Sequence, residues 1–299
     1  MVRKAFIFIL TILVITLGGC NWRLDVGSPN ADNVLARMTH NLSETETFAF
    51  AGDFSLNGPT SVSLFSGLSN LEIDFFGESN VSSVRNMQYG IELTLSGTGD
   101  EGATEVGMEL RNFPDSDFFR IKHLSLPLSL PFTLSTDQRW YKVGSNTPES
   151  SDILGGVNKL TNAELKELRG LISESKIFEV TEQLGDATVN GSRTFHYKVG
   201  IDSLMVEEIL YKWLTITDSD KVYEVPDWVE MLKTYDYEIF INKHSFDLAQ
   251  IKVSGWYLDA RNQRLEFTTN IIFDRFNNRV DIPRPSDVED FNLRSLLGV

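Results

Sequence analysis

YGIELTL, residues 89–95, places Tyr89, Ile91, Leu93 and Leu95 in one phase and Gly90, Glu92 and Thr94 in the other. Successive side chains of a strand point to opposite faces, so a period of two describes a strand with one apolar and one wet face. The same signature lies on both sides of it. Leu71, Ile73 and Phe75 alternate with Glu72 and Asp74, and Val106, Met108 and Leu110 with Gly107 and Glu109. Upstream, Phe48, Phe50, Phe54 and Leu56 share one phase with Gly52. Stretches rich in Gly, Ser and Asn, such as SGTGDEGA (96–103), separate these runs and read as hairpin loops. The first half of the chain is thus expected to be an antiparallel meander, dry on one side.

Helical spacing brackets the meander. Before it, NADNVLARMTHNLS puts Val34, Leu35, Met38 and Leu42 on one stripe, with Asn30 or Asp32 available as a cap. After RWYKV (139–143) and a loop rich in Ser, Pro and Gly, Thr161-Asn162-Ala163-Glu164 fits a capping box, followed by Leu165, Leu168 and Ile172. Strand-like KIFEVTEQL and RTFHYKVGI come next. Asp202 can cap a third helix built on Val206, Ile209, Leu210 and Trp213, and Pro226 suits the first turn of a short fourth, PDWVEMLKT. The chain closes with four strand-like runs, YDYEIFINK, FDLAQIKVSGW, RLEFTTNIIF and NRVDIP. Without a fixed-period repeat or a clean linker, one domain with an elaborated middle is expected.

The beginning is of another kind. Arg3 and Lys4 precede thirteen residues, 5–17, of which only Thr11 and Thr16 are polar. A helix crossing a bilayer needs roughly 20 apolar residues, so this run is too short to span comfortably and has the layout of a secretory signal. Leu17-Gly18-Gly19-Cys20 resembles the lipobox of bacterial lipoproteins. That resemblance implies cleavage between Gly19 and Cys20, a thioether-linked diacylglycerol on Cys20, and a new amino terminus open to acylation. A thiolate is the strongest nucleophile available for taking up a lipid, and two or more acyl chains anchor stably where one does not. An uncleaved anchor and an ordinary secreted precursor with a chance cysteine are the alternatives. The expected division is a signal peptide over 1–19, a lipidated tether over 20–30 and one domain over 31–299.

Hydrophobic residues make up 41% of the chain and twenty are phenylalanine, the composition of a folded globule. Cys20 is the one cysteine, so once it is lipidated no disulfide forms and burial must supply the stability. With 42 acidic against 27 basic residues, a net charge of −15, the chain repels phosphate backbones, and nucleic acid is not expected as a partner. Screening confines repulsion from anionic headgroups to about 8 Å at physiological salt. The ten residues 21–30, with an r.m.s. reach of roughly 17 Å as a flexible coil, hold the body beyond it.

Chemistry-bearing motifs are sparse. His40, His123, His196 and His244 are scattered, and no pair has metal-site spacing, so no metal and no cofactor are expected. His196 faces opposite to Phe195 and Tyr197 and reads as a solvated or locally bonded histidine. Asp115-Ser116-Asp117 and Asp218-Ser219-Asp220 begin like calcium loops but lack the glycine and terminal glutamate, and read as turns. There is no GxSxG elbow, P-loop or GxGxxG element, no catalytic residue is nominated, and an enzyme is not expected. HLSLPLSLPFTL (123–134) alternates leucines, but Pro127 and Pro131 keep it off a central strand, leaving an edge strand or covering loop ahead of an apolar flap. Phe48, Phe50, Phe54, Phe75, Tyr89, Trp140 and Tyr197 are candidates either for plain core or for lining a cavity.

Taken in order, NVLARMTHNLSETETFAFAGDFSL (33–56), RWYKV, NGSRTFHYKVGID (190–202), YEIFINKHSFDLAQIKVSG (237–255) and IIFDRFNNRVDIPRPSDV (271–288) resemble the LolA/LolB and LppX/LprG group of extracytoplasmic lipid and lipoprotein carriers. The resemblance implies an α+β fold in which a strongly curved antiparallel β-sheet, a half-barrel, has helices covering its concave face around an apolar cavity. It implies a non-enzymatic carrier or chaperone at the extracytoplasmic face of the membrane, anchored through Cys20, with an acyl chain or lipoprotein lipid as cargo and no nominated ligand-binding residue. The alternative is an envelope scaffold with a solid core. The protein partner is unknown from sequence.

Overall fold

The computed structural model describes residues 30–58, 68–83, 87–99, 102–125, 138–143, 161–217, 222–223, 225–258 and 262–290. Helix α1 (Ala31–Glu44) starts where the Asn30 side chain accepts from the Asn33 backbone N–H at 2.8 Å. Helix α2 (Asn162–Glu174) begins on the expected capping box, with Thr161 and Glu164 satisfying each other's backbone N–H. The Asp202 carboxylate accepts from the N–H groups of Leu204 and Met205 at the head of α3 (Ser203–Thr217). Helix α4 (Val225–Lys233) carries Pro226 in its first turn, where the missing N–H costs nothing.

Twelve strands form one sheet: β1 (Thr47–Asn57), β2 (Leu68–Asn80), β3 (Gln88–Gly99), β4 (Gly102–Phe113), β5 (Ser116–Ser125), β6 (Trp140–Val143), β7 (Phe178–Val189), β8 (Ser192–Ile201), β9 (Asp236–Asn242), β10 (Leu248–Leu258), β11 (Arg264–Asp274) and β12 (Val288–Asp290). Their order is β12-β6-β5-β4-β3-β2-β1-β11-β10-β9-β8-β7. Two meanders, β1 to β6 and β7 to β11, are fused by the antiparallel β1–β11 ladder, which pairs Ala51 with Ile272. At that seam the backbones approach closely: a Cβ on Gly52 would lie 2.3 Å from the Asn270 carbonyl oxygen. The β7–β8 hairpin turns through Asn190 (φ 46°) and Gly191 (φ 77°), the left-handed pair a two-residue turn requires.

The expected half-barrel is not what forms. The sheet is open and mixed, neither closed nor strongly curled: β12 pairs parallel with β6 and ends one edge, while β7 ends the other. Closure would have to pair these two edges. β12 offers three residues, and β7 is largely exposed, carries Glu179, Glu182 and Asp186, and shifts register twice against β8. Such bulged, charged edges resist further pairing.

The four helices among the described residues pack on one face, where the main core lies; Val34, Met38, Leu168, Leu210, Ile239 and Ile241 are all fully buried there. The opposite face is not simply wet. Phe113, Phe118, Trp140 and Ile282 form a second apolar cluster, and Val189, Phe240 and Ala249 a third. The expected strand NRVDIP is instead an extended segment that leaves β11 and crosses this second face as a strap. Arg275 pairs with Glu78 at 2.6 Å, Arg111 donates to the Pro283 carbonyl, and Arg284 reaches Asp115 at 2.6 Å and Ser116 Oγ at 2.7 Å. Apolar side chains on both faces explain why the sheet has no reason to wrap around one of them.

Candidate functional site

The helix-side face carries an aromatic layer. Phe48 lies 5.9 Å from Phe50 and 6.2 Å from Phe273 between ring centroids, and Phe50 lies 6.3 Å from Phe75. Farther along, Phe54 stacks on Phe267 at 6.3 Å, and Tyr235 meets Phe267 edge-on at 4.7 Å. Of the aromatic candidates named from sequence, Phe48, Phe50, Phe54, Phe75, Tyr89 and Tyr197 belong to this core. Trp140 does not. It sits on the opposite face between Arg111 and Arg120, whose guanidinium carbons stand 4.7 and 4.8 Å from its ring.

One end of the layer is polar. Register places Ser79 opposite Tyr89, Tyr89 opposite Asn112 and Asn112 opposite Asp117, a row running from β2 to β5. Burial pushes the Tyr89 phenol up, with the Asp117 charge adding to it. Burial also raises the Asp117 carboxyl, against the lowering effect of the hydrogen bond that Asn112 donates to it. Above this region α2 points Arg169 at the Val81 carbonyl, 2.5 Å away, and desolvation pulls the guanidinium down to about 10. Among the described residues, Ser79 Oγ and Arg169 Nε are buried without a hydrogen-bond partner.

The opposite face holds a groove of about 400 Å³. Two cross-strand rows build it. One runs Ile272, Ala51, Phe76, Glu92, Glu109 and Arg120, and the next runs Asp274, Ala49, Glu78, Gly90 and Arg111. The alanines make a trough along β1 between the larger side chains of β2 and β11. Asn190 of the β7–β8 turn lines it on one side and Asp281, Ile282 and Pro283 of the strap on the other. Ile282 lies over β3 at Gly90, where a built Cβ would make ordinary contact with Ile282 Cγ2 at 3.4 Å. Glu109, only 4% exposed, is neutralised by Arg111 at 2.6 Å and Arg120 at 2.5 Å.

The remaining sequence candidates scatter. Leu17, Gly19 and Cys20, the leucine-rich residues 126–134, and Asp218 to Asp220 lie outside the described residues. Of Asp115-Ser116-Asp117 only Asp115 lies in the β4–β5 turn, beside Pro114; Ser116 and Asp117 open β5 and pair with Phe113 and Asn112. His123 meets Glu105 at 2.7 Å, and His196 bonds Glu238 at 2.8 Å while stacking on Phe240 at 4.0 Å. Among the described residues no group of three or more His, Cys, Asp or Glu is placed to hold a metal, and no helix is long and apolar enough to cross a membrane. The groove and the Glu109 network were not foreseen. Their signal was the wet-phase charge of Glu109 on β4, which read as solvated face until the strap covered it.

No protein-family model matches the chain, and no curated protein is similar to it. Among solved structures, Mycobacterium tuberculosis lipoprotein LppX superposes with a TM-score of 0.39 at 11% identity, over 86% of this chain and 100% of LppX. A porin-like protein from Bacteroides uniformis superposes with a TM-score of 0.20 at 5% identity, over 77% of this chain and 96% of that one.

Proposed function

We propose that this chain is a lipid-anchored envelope protein, held at the extracytoplasmic face of a membrane through Cys20 and acting without catalysis on an apolar cargo. The observation that carries the reading is Leu17-Gly18-Gly19-Cys20 behind a run of thirteen residues too short to span a bilayer. The cargo, an acyl chain or the lipid of a lipoprotein, lies against the aromatic layer between sheet and helices. Each methylene buried there is worth about 0.8 kcal/mol, so a chain is held without polar chemistry and released to any competing apolar environment.

A specific observation favours a second reading. The centre of the described core, around Met38, Leu56, Ile239 and Ile241, is fully buried by protein side chains. A solid core of this kind suits an envelope scaffold that docks partners on its surface. Extraction of lipid from the protein purified out of membranes separates the two. The carrier is expected to yield one lipid species enriched near one per chain; the bulk membrane composition without enrichment belongs to the scaffold.

A further inference from the structure

The groove on the face away from the helices has a use the carrier reading leaves open. We infer that it receives the side-chain ammonium of a lysine on a partner protein. Its floor and walls are apolar: Ala49 and Ala51 below, Phe76 and Ile272 to either side, with Phe76 55% exposed although it lines a concave site. Its rim is acidic. Glu78, Glu92, Glu109, Asp274 and Asp281 line it against Arg111 and Arg275.

The ion pairs show which charges are left over. Glu78 holds Arg275, Glu92 holds Lys122, and Glu109 holds both Arg111 and Arg120. Asp274 accepts only the Arg275 backbone N–H, and no cation pairs with Asp274 or Asp281 among the described residues. Arg279, two residues before Asp281, does not line the groove. The site therefore offers an apolar trough about the width of one residue, an aromatic face and two carboxylates with no cation of their own, which leave a surplus of one negative charge once the second arginine on Glu109 is counted. A four-carbon stem ending in an ammonium matches all three, since long cationic side chains lay their methylenes on apolar surface and keep the head in a polar one, and an ammonium is attracted to an aromatic face. A carboxylate or phosphate would meet acid at the rim, and a neutral alkyl chain would leave Asp274 and Asp281 unused. The chain's net charge of −15 steers a basic partner toward this surface.

Calorimetric titration of the full chain in a neutral detergent tests it, with acetyl-Ala-Lys-Ala-amide as the probe. The same peptide with the lysine acetylated keeps the stem and removes the charge. The lysine peptide is expected to bind at least tenfold more tightly than the acetylated one, and Asp274→Asn with Asp281→Asn to abolish that difference. Both aspartates are exposed, so the double variant is expected to fold as the parent does. Ala51→Phe fills the trough without touching charge and is expected to weaken the lysine peptide by a similar factor. Equal affinity for the two peptides, or unchanged binding by the double variant, would overturn the proposal. Binding of spermidine but not of the peptide would overturn its assignment to a partner protein.

Discussion

A Cβ on Gly77 would stand 2.4 Å from the Gly90 carbonyl oxygen and 2.8 Å from Phe50 Cζ, so the β2–β3 ladder and the aromatic layer both depend on its absence. Gly77→Ala is expected to cost about 1–3 kcal/mol, the usual penalty for overpacking, read from the midpoint of urea unfolding. Gly90→Ala, whose Cβ makes only a 3.4 Å contact with Ile282, is expected to stay within about 0.5 kcal/mol of the parent. Asp117 adds a pH dependence. Its carboxyl is raised by burial, so the folded chain binds that proton more tightly than the unfolded one. Its contribution is therefore fully present below the ordinary carboxylate pKa and is lost as pH rises through the raised value. Asp117→Asn removes that loss, and its stability relative to the parent is expected to be higher at pH 7 than at pH 4. At this scale the faces of Phe48, Phe50, Phe75 and Tyr89 were legible from period two. Trp140 was not: β6 has only four residues, and what decides its face is the pair of arginines and the strap residue Ile282 around it.

Helices and strands were read well where a local signal sufficed. Asn30, the Thr161–Glu164 box, Asp202 and Pro226 all do what their chemistry suggests, because a cap satisfies backbone groups within a few residues of itself. Thr161→Ala is expected to lower stability by about 1 kcal/mol, measured by thermal unfolding, with Thr161→Ser retaining most of it. The strap was misread for the opposite reason. Residues 279–285 alternate as a strand does, yet their partners are side chains on β2, β4 and β5: Arg111 bonding the Pro283 carbonyl, Glu78 taking the Asp281 N–H at 3.3 Å and Phe118 packing on Ile282. Those contacts join positions far apart in the chain, and no local pattern encodes them.

For the whole molecule, period two announces strands and says little about how far the sheet bends. An open sheet and a half-barrel share the same alternation; the difference lies in whether the edges meet and whether the second face is covered. Here β7 and β12 stay apart, while strap and hairpin tip dress the second face. Across the molecule, the apolar helix-side face was legible, though not whether it would be filled, and the groove was not, since the groove is made by an extended segment and a turn arriving from distant strands. The proposed lipid-anchored carrier has two parts, a lipid on Cys20, read from Leu17-Gly18-Gly19-Cys20, and a separate lipid cargo. Native mass spectrometry of the full-length protein released from membranes tests both at once. The expected mass is that of residues 20–299 with a covalent diacylglycerol on Cys20 and one lipid adduct that dissociates on activation. A chain still beginning at Met1, with a free Cys20 thiol and no adduct, would contradict it.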